Sequence, residues 1–149
     1  MVLLRRNLHK RLQEMCDCYL ESEYKNELSV ISKKGVSGDV TGDLTEVALK
    51  YLGLAILYTL EERGTRLFVG MADGTIISYI ENDHRDTLPL PPENIARELL
   101  DIVREITHLD AEEATEPLSL GIRESRINLQ IDVHREAGEE HIVLKFPAL

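Results

Sequence analysis

Residues 44–62, LTEVALKYLGLAILYTLEE, hold the longest apolar run in the chain, Leu52-Gly53-Leu54-Ala55-Ile56-Leu57-Tyr58-Thr59-Leu60. A segment apolar around most of its circumference must be covered on several sides, so the rest of the fold has to wrap it. Its ends read as helix ends. Asp43 is suited to cap the first turn, and Glu46 follows three residues later as in a capping box. Glu61, Glu62 and Arg63 return the chain to water, and Gly64 suits a left-handed stop. A bilayer span needs about 20 predominantly apolar residues. This stretch is shorter, and Glu46 and Lys50 interrupt it. It therefore predicts a buried central helix and no membrane insertion.

A chain of 149 residues with 43% hydrophobic and 30% charged content suits a single globular domain with an ordinary core. The net charge of −10 argues against nucleic-acid binding, which needs a basic surface. The charge is uneven. Residues 1–34 carry seven Lys/Arg and five Asp/Glu, whereas residues 35–149 carry ten and 22. Cys16 and Cys18, two apart on a helix, point to different sides and neither bridge nor clamp a metal. With no apolar signal core after Met1-Val2-Leu3-Leu4, the expected location is the cytoplasm.

Along the chain, Leu4, Leu8, Leu12, Met15, Tyr19 and Leu20 recur at helical spacing, which predicts an N-terminal helix over residues 1–24. Arg5, Arg6, Lys10 and Arg11 form a basic cluster on it and are the candidate interaction residues, suited to an acidic partner. Residues 25–43, with three glycines and no apolar period, read as a flexible connector, with a short edge strand at 28–31. Glycines beside Lys33 and Lys34 lack the order of a phosphate-binding loop. The remainder, 44–149, is expected to form an α+β core.

Two hairpins stand out. The first pairs 66–71 with 75–81 around Asp73-Gly74, a type I′ turn signal. Leu67, Met71, Ile76 and Ile80 share one face, Phe68 and Tyr79 the other. Bulky groups on both faces predict cover on both sides. Asn82 to Asp86 reads as a solvated polar turn. Leu88-Pro89-Leu90-Pro91-Pro92 leads into a third helix over 93–107, with Ile95, Leu99, Ile102, Val103 and Ile106 as its apolar stripe. Residues 111–121 are acidic and read as a loop. The second hairpin, 126–134 with 139–146, pairs 134 with 139. That register sets Asp132 opposite His141, the one acid/base couple the sequence offers, read as a surface ion pair because no nucleophile accompanies it. The expected fold class is α+β, an antiparallel sheet from two β-hairpins packed against two or three helices.

This order of segments resembles the domain that precedes the motor in type II secretion and type IV pilus assembly ATPases, over about residues 65–147. The resemblance rests on Leu88-Pro89-Leu90-Pro91-Pro92-Glu93, on Ile106-Thr107-His108-Leu109-Asp110-Ala111-Glu112-Glu113, and on the closing Gly138-Glu139-Glu140-His141-Ile142-Val143-Leu144-Lys145-Phe146. It implies a partner in a pilus, secretion or motility apparatus. The family's arginines that reach toward a neighbouring subunit's nucleotide would fall near Ile77, Tyr79 and Asp132, none of which can serve a phosphate. The expectation is a non-catalytic protein–protein interaction or regulatory module with no cofactor, and a homodimer as its assembly. The competing reading is a small-molecule sensor, since the strand Gly74-Thr75-Ile76-Ile77 after a turn also resembles PAS-type and roadblock-type folds. A sensor needs a cavity beneath its sheet, a space that Leu67, Met71, Ile76, Ile80, Leu129 and Ile131 are bulky enough to fill. An enzyme is disfavoured, because no complete catalytic or cofactor motif is present.

Overall fold

In the computed structural model, which describes residues 8–34, 43–107 and 113–147, the apolar run folds as one helix, Asp43–Glu61. Ala48, Leu49, Tyr51, Leu52, Leu54, Ala55, Ile56, Leu57 and Tyr58 are all buried on it. In chain order the elements are α1 (Leu8–Cys18), α2 (Tyr24–Lys34), α3 (Asp43–Glu61), β1 (Arg66–Ala72), β2 (Thr75–Glu81), β3 (Arg85–Thr87), α4 (Glu93–Thr107), β4 (Glu113–Ile122), β5 (Ser125–Glu136) and β6 (Glu139–Lys145). All strand pairings are antiparallel, in the order β3-β2-β1-β6-β5-β4, so the α+β class expected from the sequence is borne out. The sheet is open, and no described helix is long and apolar enough to cross a membrane.

The stop after α3 is a Schellman motif displaced by one residue from expectation. Arg63 (φ 56), not Gly64, takes the left-handed conformation. The Gly64 N–H bonds the Thr59 carbonyl at 2.8 Å and the Arg63 N–H that of Leu60 at 3.2 Å. Gly64 is needed for closeness instead: a Cβ there would lie 2.7 Å from the Thr59 methyl group.

Helices α1, α3 and α4 pack on one face of the sheet, while α2 packs on α3. The buried cluster between the layers includes Leu12, Leu49, Leu67, Val69, Ile80, Leu99, Ile131, Ile142 and Leu144. Alternation along the strands produces this face, because every second side chain points inward. The two expected hairpins meet at the centre, where Leu67 pairs with Leu144 and Val69 with Ile142.

Several expectations are corrected. The N-terminal helix does not run to residue 24: it ends at Cys18, where the Ser22 N–H and hydroxyl both bond the Tyr19 carbonyl. The stretch read as connector and edge strand contains α2 instead, with Tyr24, Leu28 and Ile31 buried as a helical stripe. Residues 35–42 of that connector, and Arg5 and Arg6, lie outside the described residues. The acidic segment expected as a loop is largely strand β4, a ten-residue edge strand paired along its length with β5. Pro117 is tolerated there because an edge strand has one row of N–H groups with no sheet partner. The last hairpin is shifted by two residues: Glu136 pairs with Glu139 around Ala137-Gly138, and Gly138 supplies the positive φ of 78. An even shift keeps each side chain on its expected face but changes every partner. The first hairpin is as expected, with both Asp73 (φ 51) and Gly74 (φ 80) in the left-handed region that a type I′ turn requires.

Candidate interaction face

The sheet face turned away from the helices carries Phe68 and Gly70 on β1, Ile77 and Tyr79 on β2, His141 and Val143 on β6, and Asp132 and His134 on β5, by the strand registers. Nothing in the described chain covers it, which corrects the expectation that the first hairpin is covered on both sides. Ile77 is 42% exposed, and Phe68, Tyr79, His134, His141 and Val143 are half-buried.

Five side chains form a continuous ladder across five strands. The Arg85 guanidinium lies 4.1 Å from the Tyr79 ring centroid. Tyr79 stacks on Phe68 at 4.9 Å and 9°, and Phe68 on His141 at 4.9 Å and 27°. His141 stacks on His134 at 4.9 Å and 23°. Gly70 makes room for it: a Cβ there would approach the His141 Cβ to 2.6 Å and a Phe68 ring carbon to 3.1 Å. Cross-strand aromatic pairs and the cation over Tyr79 each contribute about 0.5–1 kcal/mol beyond area burial.

The Asp132–His141 couple does not form. His141 lies opposite His134, and Asp132 opposite Val143. The Asp132 carboxylate accepts from Lys145 Nζ at 2.9 Å, Thr115 Oγ1 at 2.9 Å and Gln130 Nε2 at 3.2 Å. Partial burial would raise its pKa, but these donors, Lys145 first, hold it below the ordinary carboxylate value. Burial, aided by the charge of His134 and opposed by Glu139, pushes His141 below the usual imidazole value. Its Nδ1 makes no hydrogen bond and lies 3.8 Å from Glu139. His134 Nε2 lies 3.6 Å from Glu136. Such a stack suits contact with another surface rather than covalent catalysis, since no Ser or Cys nucleophile accompanies it among the described residues.

The basic cluster is divided by the fold. Lys10 is exposed, whereas Arg11 is half-buried and ion-paired with Glu46 on α3. Glu46 thus anchors α1 to α3. Elsewhere, the Tyr51 hydroxyl donates to the Pro89 carbonyl at 2.7 Å and takes a bond from Ser78 at 2.9 Å, joining α3, β2 and the turn before α4. Asp86, expected in a solvated turn, accepts from Tyr58 at 2.7 Å. Cys16 is buried, and burial, reinforced by Asp17, pushes its thiol up to about 12, which makes it unreactive.

A cavity of about 410 Å³ opens at the turn end of the sheet beside α4, lined by Met71, Arg97, Leu100, Arg135, Glu139 and Glu140. It lies at the edge of the helix–sheet interface, whose centre is filled by the core side chains that a sensor would have to omit. Among the described residues no group of three or more His, Cys, Asp or Glu is arranged to hold a metal ion.

The ladder was hidden in the sequence by the register. Phe68 and Tyr79 are legible as a cross-strand pair from the Asp73-Gly74 turn, but His134 meets His141 only after the two-residue shift. No protein-family model and no curated protein matches the sequence.

Proposed function

We propose that the chain is a non-catalytic protein–protein interaction or regulatory module, related in design to the pre-motor domain of secretion and pilus assembly ATPases. The observation that carries this reading is the chemistry of one surface. Ile77, Tyr79 and Asp132, the positions where the resemblance would put nucleotide-reaching arginines, share the outer sheet face by register. An exposed isoleucine, a stacked tyrosine and a carboxylate held by Lys145 offer nothing to a triphosphate. They offer a protein surface a rigid aromatic band with a polar rim, the composition that protein interfaces favour. The partner is a protein of a pilus, secretion or motility apparatus, or a further copy of the chain.

Equilibrium binding with a fluorescent ATP analogue, and the same with GTP, tests the reading. No saturable uptake is expected. Tight, saturable uptake by the purified chain would overturn it.

A further inference from the structure

The outer sheet face is polarised along its strands. One end, where β1 and β5 begin, carries Arg66, Arg85 and Arg126, with Glu81 among them. The opposite end, at the β5–β6 turn, carries Glu136 and Glu139. All of these except the half-buried Glu81 are exposed. Between the two ends lies the apolar band of Ile77, Tyr79, Phe68 and Val143.

We propose that this face docks a second copy of the same chain, related by a twofold axis that lies in the interface and runs across the strands. The inference rests on the interaction-module reading above and names its partner and surface. Such an axis reverses strand direction between the copies. The cationic end of each sheet then covers the anionic end of the other, and the apolar bands face each other at the centre. An isologous contact requires a patch that is complementary to itself, and a face with opposite charge at its two ends and an apolar middle meets that condition. An axis along the strands would set like charges together and is excluded by the same argument. Sheets stacked face to face pack about 10 Å apart with interdigitating side chains, so a long, exposed Ile77 at the centre is an anchor rather than an obstacle. On the outer halves of β4 and β5, Asn128, Gln130 and Ser119 are polar and form the rim.

Sedimentation velocity tests this directly, at loading concentrations up to about 200 μM, where even a weak dimer registers. The full chain is expected to dimerise reversibly, and Ile77→Arg to sediment as a monomer with unchanged circular dichroism. Arg66→Glu is expected to weaken the dimer at least about tenfold, and Arg66→Glu combined with Glu139→Arg to restore it, because the reciprocal swap re-pairs the two ends. A monomer throughout the concentration range, an Ile77→Arg chain with the wild-type dissociation constant, or a double swap no tighter than Arg66→Glu would each overturn the proposal. None of these results bears on nucleotide uptake, so the two readings fail separately.

Discussion

Gly70 sets how closely β1 and β6 carry their outer side chains. With a Cβ 2.6 Å from that of His141, Gly70→Ala cannot be absorbed by a rotamer change, because a neighbouring Cβ moves only with its backbone. The expected cost is about 1–3 kcal/mol, the range for overpacking, read from the urea midpoint at unchanged m-value. His141 carries a pH prediction. Its pKa in the fold lies below the ordinary imidazole value of about 6.5, chiefly through burial. The unfolded chain therefore binds the proton more readily than the folded one. The stability involved is present above the unfolded pKa and is lost as pH falls from about 6.5 toward the lowered folded value. His134 and Glu139 face the same ring and act on its pKa, the first lowering it and the second raising it. His141→Phe keeps the stack without a titrating group, so its melting temperature is expected to fall less than that of the wild type between pH 7 and pH 5.5. An equal fall in both would remove His141 from the account.

Among elements, α2 separates two views of residues 24–34. As a connector, this segment would tolerate any substitution. As a docked helix it buries Leu28 completely, at 0% exposure, against α3. Leu28→Ala is then expected to cost about 2–5 kcal/mol by chemical denaturation, and no measurable loss would contradict the docking. The edge strand β4 shows how an exposed end of a sheet is managed. Gln13 of α1 donates to the Gly121 carbonyl at 2.6 Å and accepts from its N–H at 2.7 Å, and His9 donates to the Ser119 carbonyl at 2.9 Å. Further along the same edge, Pro117 removes a donor outright. Helix and proline together leave little of β4 open for a foreign strand.

For the whole molecule, the contrast between a basic first segment and an acidic body is partly consumed internally, since Arg11 ties α1 to α3 through Glu46. Two predictions follow from that division. Arg11→Gln is expected to lower stability by at most about 1 kcal/mol, as for other partly exposed ion pairs, and to leave partner binding unchanged. Arg5→Gln, Arg6→Gln and Lys10→Gln together are expected to leave the melting temperature unchanged and to weaken retention of an acidic partner, read by pull-down. The opposite pattern would place the working charge on Arg11.

Local patterns decided much of the fold. The central helix, α4 and both hairpins follow from apolar spacing, proline entry and the Asp73-Gly74 turn, each complete within a short window of the chain. The inward faces of β1, β2, β5 and β6 follow as well, because side-chain alternation survives an even shift of register. What tertiary structure decided is of another kind. Residues 113–122 carry acids and Pro117 and become a strand only because β5 supplies their partners. Tyr24, Leu28 and Ile31 form a helix face only against α3. The ladder from Arg85 to His134 exists because pairing across β1, β6 and β5 brings together residues far apart in sequence. The reason is that hydrogen-bonding and packing partners outside a segment contribute as much free energy as its own preferences, and no short window of sequence contains them.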